Sequence, residues 1–325
     1  MIVGEAEEKK GKPFQGAAGG MLNAFLSSSG IARHECYITN VFNFMPLQGK
    51  VRNICGGKAD GIPSYPALEM SKYVRKEYAP ELARLWREVE AVNPNIIVAC
   101  GTVACWALLK DRRIKKLRGA PSLTHTGHKV FPTYSPSQIM RQYKLRPIAF
   151  ADFNKIAREA LFPDIRRPKR TFWLEPTYAD LLLFEKHILA AKVLSVDIET
   201  WNKQITCIGF APSEDRAIVI PFVWHGTKDG NYWPTLEEEL KVWALIRRWL
   251  ALSQGKIGQN FLYDTRYIWE AYGIPINNIE GDTMLIHHAM QPEMEKSLGF
   301  LGSIYTDEPN WKFMRKDIKT LKKED

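Results

Sequence analysis

The chain has 325 residues and carries 45 Lys+Arg against 36 Asp+Glu, with 45% hydrophobic and 25% charged residues. That length fits two domains, and the balance excludes disordered and collagen-like chains. The formal charge of +9 points to a polyanionic partner. The excess sits in residues 1 to 160, with 24 basic against 13 acidic, while the remainder holds 21 against 23. Five scattered cysteines without a CxxC pair argue for reduced, mostly buried thiols in a cytoplasmic protein. No apolar run approaches the ~20 residues of a membrane span, so no membrane partner is expected.

From the start of the chain, short apolar runs alternate with amphipathic ones. Strands are predicted at Met1 to Val3, Cys36 to Thr39, Ile96 to Ala99 and His128 to Pro132, with helices at Gly19 to Ser29, Tyr65 to Asn93 (unbroken or interrupted) and Val103 to Lys110. This is the pattern of a parallel sheet covered by helices, whose ligands bind at the carboxyl ends of the strands. Phe162 to Arg170 has two prolines and four basic residues and reads as a linker or a DNA-facing strap. Beyond it, Tyr178 to Ala191 is predicted helical, Val193 to Ile198 and Thr206 to Phe210 form a strand pair, and Glu237 to Leu252 is an amphipathic helix in which Trp243, Leu245 and Trp249 are core.

Four segments in the front half carry a specific order: Gly4-Glu5-Ala6, Gly11-Lys-Pro-Phe14-Gln-Gly16-Ala-Ala-Gly19, Tyr37-Ile-Thr-Asn40-Val41 and Thr133-Tyr-Ser135-Pro-Ser137. Together they resemble the uracil-DNA glycosylase superfamily, family 4 in particular. The resemblance implies a three-layer α/β/α domain over residues 1 to 160 that binds uracil-containing DNA and breaks an N-glycosidic bond. Such a break passes through an oxocarbenium-like sugar, for which a carboxylate orients water, and the base must leave the stack to be read in a pocket. By resemblance Glu5 is that carboxylate, Phe14 stacks on the base and Asn40 reads its edge. Gly11, Gly16 and Gly19 admit the DNA phosphates.

In the loop after Ser135 the resemblance implies an apolar wedge at Ile139 or Met140 and phosphate contacts from Arg141 and Lys144, the alternative being an ordinary amphipathic helix start. Lys110 to Arg118 is the densest basic cluster and another phosphate candidate. The sequence departs from the family at three places. The loop after Glu5 lacks Pro-Gly and continues as Glu7-Glu8-Lys9-Lys10. Ser135 stands where the family has a histidine that stabilises the departing base anion, and His125 or His128 is the candidate substitute. Phe44-Met45-Pro46 replaces a Cys-Arg-Pro, so no iron–sulfur cluster is expected and Cys55, Cys100 and Cys105 are core thiols.

Asp197-Ile198-Glu199-Thr200 puts two carboxylates on one face of a strand, a repulsion that divalent cations relieve. With Gly258-Gln-Asn260-Phe-Leu-Tyr263-Asp264 and Gly281-Asp282, it resembles the DEDD 3′-5′ exonucleases of family A DNA polymerases, an RNase H-like fold. The resemblance implies that Asp197, Glu199 and Asp264 hold two divalent cations, Mg or Mn. It gives Asn260, Tyr263 and Asp282 supporting or substrate-binding roles at a 3′ single-stranded end. His287 and His288 are read as surface residues. The last motif of that family does not occur before Asp325, and Tyr305 and Asp307 are too close together to replace it. The expected organisation is a glycosylase-like domain over 1–160, a basic linker over 161–175, and a C-terminally incomplete exonuclease-like domain over 176–325. This organisation resembles the front of a phage-type polymerase, which implies a polymerase module in the same or a separate chain. The alternative is a catalytically impaired DNA-binding platform that senses uracil or positions a polymerase.

Overall fold

The structure, a computed structural model, describes residues 1–6 and 12–308. Gly11, the Glu7 to Lys10 loop and the tail from Met314 therefore lie outside the described residues. The described residues divide into two compact units, residues 1–166 with 299–308, and residues 167–298.

The first unit contains β1 (Ile2–Ala6), α1 (Gly16–Ser28), β2 (Ile38–Phe42), β3 (Cys55–Gly56), β4 (Tyr73–Val74), α2 (Ala79–Val92), β5 (Ile97–Cys100) and α3 (Thr102–Leu109). It continues with α4 (Ile114–Leu117), β6 (Ser122–Leu123), β7 (Lys129–Thr133), α5 (Pro136–Arg141) and α6 (Arg146–Glu159). Its main sheet has the order β2-β1-β5-β7-β6, with only β6 antiparallel to its neighbour. Every residue of β5 and β7 is buried, which requires cover on both faces, the hallmark of a parallel sheet between helix layers. The helix expected from Tyr65 to Asn93 forms only over Ala79–Val92. Pro80 explains its start: a proline cannot donate to the preceding turn, but its fixed φ suits the first helical positions.

The second unit contains β8 (Thr171–Trp173), α7 (Tyr178–Ala190), β9 (Val193–Trp201), β10 (Gln204–Ser213), β11 (Arg216–Pro221), α8 (Leu236–Ala251), β12 (Gly255–Gly258), α9 (Phe261–Tyr272), β13 (Ile279–Asp282) and α10 (Thr283–Met290). Its sheet order is β13-β12-β9-β10-β11-β8. The antiparallel run β9-β10-β11, continued from β9 by parallel β12 and β13, is the RNase H-like arrangement. Helix α8 buries Val242, Leu245, Ile246, Trp249 and Leu250, a helical stripe, and keeps Glu237, Glu238 and Glu239 in its first turn, where the helix dipole favours them. Trp243 is sandwiched between the rings of Phe222 and Tyr272, at 4.4 and 4.2 Å.

The last helix, α11 (Leu298–Tyr305), departs from the expected extent of the back domain, because the described residues from Gly299 to Glu308 belong to the first unit. The reason is polar. Buried Arg118 pairs with Asp152 at 2.5 Å and donates to Ser303 Oγ at 2.7 Å, and buried Lys155 donates to the carbonyls of Gly119, Ser303 and Thr306. Gly119, at φ +90°, has no room for a Cβ, which would meet the Ser303 carbonyl oxygen and, at 3.0 Å, its Cβ. Arg118 is thus a structural ion, 2% exposed, and not the phosphate contact its basic neighbours suggested.

Candidate functional site

A cavity of about 700 Å³ opens where the parallel strands of the first unit end, and Glu5, Phe14, Asn40 and Ser135 all line it. The convergence follows from register. Strand β1 pairs in parallel with β2, with Gly4 opposite Asn40, so the Asn40 side chain lies over the glycine. A methyl on Gly4 would stand 2.8 Å from the Phe14 ring and closer still to Asn40 Oδ1. Phe14 has a left-handed backbone, φ 53°, a conformation costly for a bulky side chain, and its carbonyl lies against Gly19, where no Cβ would fit. Gly16 (φ 70°) opens α1 directly behind it.

Asn40 is only 2% exposed, and its Nδ2 finds no hydrogen-bond partner among the described residues. An unpaired buried donor costs ~1–3 kcal/mol, a penalty an incoming acceptor would relieve. Its backbone is held by a residue no motif announced. Arg84 of α2 donates to the carbonyls of Asn40 and Val41 at 2.8 and 3.0 Å, while Glu81 and Glu88 balance its charge at 3.2 and 2.6 Å. Lys50 and Arg52 also line the cavity, and no motif marks them, since they lie in an irregular segment without periodicity. Glu5, at the end of β1, is exposed to the cavity.

Ser135 caps α5: its Oγ accepts the Gln138 N–H at 3.2 Å. Neither candidate histidine is among the cavity-lining residues. His125 meets Trp86 edge-on with centroids 4.5 Å apart, and His128 Nδ1 lies 2.9 Å from Thr126 Oγ1. Ile139 cannot be the wedge, because it is fully buried in the core on the inner face of α5. Met140, on the outer face, is 45% exposed. Arg141 lines the cavity and is exposed. Cys55, Cys100 and Cys105 are buried free thiols, and burial pushes Cys100 up to about 12, where it stays protonated and inert.

In the second unit, Asp197 and Glu199 are exposed on one face of β9, as the alternation predicts. Strand β12 pairs with β9 only as far as Ser195, and Asp264, in the first turn of α9, accepts the Ile198 N–H at 2.9 Å. The turn into α9 is made by Asn260 in the left-handed conformation, φ 57°. Burial, reinforced by the negative charge of Asp197, raises Asp264 to about 6. Half-exposed Tyr263 shares a hydrogen bond with Thr200 Oγ1 at 2.7 Å beside these carboxylates.

Of the supporting and substrate-binding roles expected for Asp282, its geometry is that of a supporting cap. Its oxygens accept the N–H groups of Asn260, Phe261 and Met284 at 3.0, 2.7 and 2.8 Å, and so tie the starts of α9 and α10 together. His287 is not a surface residue: it is 1% exposed, and burial lowers its pKa, whereas His288 is exposed. Hard oxygen donors with a raised carboxyl are suitable chemistry for a divalent cation. However, no three acidic, histidine or cysteine side chains among the described residues stand close enough to hold one. Asp197, Glu199 and Asp264 do not form a closed ligand set as they stand.

An aromatic ring, an unpaired buried amide and a carboxylate gather around one cavity at the strand ends of an α/β unit. The chain belongs to the uracil DNA glycosylase superfamily, whose family model matches residues 1–159. The type-4 uracil-DNA glycosylase of Thermotoga maritima is 33% identical over 156 residues, 47% of this chain and 70% of that protein. That of Archaeoglobus fulgidus is 32% identical over 168 residues, 48% and 74%. A DNA polymerase of Bacillus phage SP01 is 28% identical over 96 residues, 30% of this chain and 10% of that protein. Among solved structures, Escherichia coli RNase D matches with a TM-score of 0.33 and 14% identity over 43% of this chain and 34% of that one.

Proposed function

We propose that the first unit excises uracil from DNA by hydrolysis of the N-glycosidic bond. The observation that carries this reading is the buried, unpaired Nδ2 of Asn40 in a cavity shared with Phe14 and Glu5. A flipped pyrimidine stacks on Phe14 and presents a carbonyl oxygen to Asn40 Nδ2, while Glu5 orients water towards the sugar and faces its developing positive charge. Met140 occupies the gap the base leaves, and Lys50, Arg52 and Arg141 neutralise phosphates at the rim. The test uses a duplex oligonucleotide with one uracil: the protein creates an alkali-labile site there and none at cytosine. Binding without such a site would refute the reading.

The second unit fits a 3′-5′ exonuclease-like module acting on single-stranded ends, with Asp197, Glu199 and Asp264 as ligands for magnesium or manganese. The whole fits a DNA repair or replication protein of phage type, acting in the host cytoplasm with a polymerase module. A second reading, a DNA-binding platform that senses uracil, is favoured by the serine at position 135 and by the capping role of Asp282. The same oligonucleotide assay separates the two.

A further inference from the structure

We propose that α11 positions one wall of the cavity: seated on Arg118 and Lys155, it fixes, through Asp152 and Thr133, the strand end that launches α5. Its effect on excision rests on the glycosylase reading, whereas the contacts themselves stand apart from it. Helix α11 lies beyond the stretch shared with the glycosylase family, so that kinship does not supply this contact.

The seat is electrostatic. Arg118 and Lys155, 2% and 4% exposed, are two buried cations facing the buried carboxylate of Asp152. Buried charge is costly unless it is paired and hydrogen-bonded. The last turn of a helix supplies what these cations lack, because its carbonyls have no partner within the helix and carry the negative end of the dipole. Ser303 accepts from Arg118 at its Oγ, 2.7 Å, and at its carbonyl, 3.3 Å, while the carbonyls of Ser303 and Thr306 accept from Lys155. Ser303 Oγ donates in turn to the Phe300 carbonyl at 2.7 Å, which leaves its lone pairs to Arg118. Leu301 of the same helix is buried beside Ser303 in the sequence.

From there the contacts run unbroken to the cavity. Arg118 Nε donates to Asp152 Oδ2 at 3.0 Å, and the same oxygen accepts the Thr133 hydroxyl at 2.8 Å. Thr133 ends β7, and its carbonyl accepts the Gly101 N–H at 2.8 Å, so both its side chain and its backbone are held. The Arg118 guanidinium also lies 5.9 Å from the centre of the Tyr134 ring. One residue further on, Ser135 opens α5, which brings Ser137 and Arg141 to the cavity and carries Met140. Ser303, Arg118, Asp152 and Thr133 are each at most 4% exposed, so a shift at α11 is passed along the run instead of being absorbed by solvent.

The test is made in the full chain with two variants. Ser303→Ala removes the hydroxyl that Arg118 reaches, and Leu301→Asp puts a charge into the seated face of α11. The first arm is amide hydrogen exchange, which needs no excision. In Leu301→Asp the Thr306 N–H, bonded to the Gly302 carbonyl, should exchange faster as α11 lets go. The Gln138 and Ile139 N–H groups, bonded to the Ser135 carbonyl, should follow by roughly tenfold or more, with β1 and β2 unchanged. The second arm is single-turnover excision of uracil at saturating protein, whose rate constant does not depend on the fraction of protein that is folded. That constant should fall on the order of tenfold in Ser303→Ala and further in Leu301→Asp. Exchange that rises in α11 and not in α5 overturns the proposal. So does a rate constant that both variants leave unchanged while the melting point falls, which would make α11 a stabilising strap alone. A wild-type protein that excises no uracil refutes the glycosylase reading, and the exchange arm then decides the positioning by itself.

Discussion

Replacing Gly4 with alanine tests whether the base-reading geometry depends on one missing side chain. The added methyl would lie 2.8 Å from two carbons of the Phe14 ring, and closer to Asn40 Oδ1. Carbon atoms prefer ~3.5–4.0 Å, so the ring must retreat by roughly 1 Å, as must the amide. A misplacement of that size costs on the order of 10²-fold in rate. Overpacking costs ~1–3 kcal/mol, offset by ~0.4–1 kcal/mol from a less flexible unfolded chain. The expected melting point therefore falls by only a few degrees while activity falls by about two orders of magnitude. Single-turnover excision on a uracil duplex, read beside a thermal melt, measures both. A Gly4→Ala protein within twofold of the wild-type rate would refute the reasoning, since Phe14 and Asn40 would then not need their present positions.

Three further outcomes are expected. Ile139→Ala should lose ~2–5 kcal/mol of stability in chemical denaturation, whereas Met140→Ala should leave stability nearly unchanged and weaken excision from duplex more than from single strands. Burial lowers Lys155 to about 8 in the folded state, against 10.5 as its ordinary value. The unfolded chain then binds more protons between those values, so this lysine makes stability rise as pH climbs from 8 to 10.5, by on the order of 3 kcal/mol. Buried Cys100 and Cys105 oppose the trend above pH 9, so the readout is the difference between wild type and Lys155→Met, in which their effect cancels. A pH-independent difference would contradict the assignment. Asp197→Ala should abolish any magnesium-dependent shortening of a 3′ end, and shortening that persists would show that β9 does not carry the nuclease site.

Much of the front site was legible because it is local. Glu5, Phe14, Asn40 and Ser135 each sit in a short motif at a strand end, and parallel pairing brings those ends together whatever the intervening loops do. What was not legible depends on partners distant in sequence. Arg84 holds the Asn40 backbone from a helix 44 positions away, and nothing in its own neighbourhood marks it. Arg118 looks like one more surface cation until Asp152 and Ser303, 34 and 185 residues on, enclose it. Ile139 and Met140 are adjacent and both apolar, so only the face of α5 that meets the core tells them apart. Asp282 shows the same limit: an acidic residue in a nuclease-like motif reads as functional, yet three backbone donors occupy its oxygens. The return of α11 to the first unit was hidden for the same reason, because a contiguous sequence suggests contiguous domains.

The account stands most directly on Asn40. Single-turnover excision should be measured for wild type and Asn40→Ala on matched duplexes carrying uracil or cytosine at one position. The account predicts cleavage after alkali at uracil alone for the wild type, and a loss of at least 10²-fold for the variant with the fold intact by circular dichroism. Excision that survives Asn40→Ala undiminished, or a wild type that binds the uracil duplex and leaves it uncut, would contradict it.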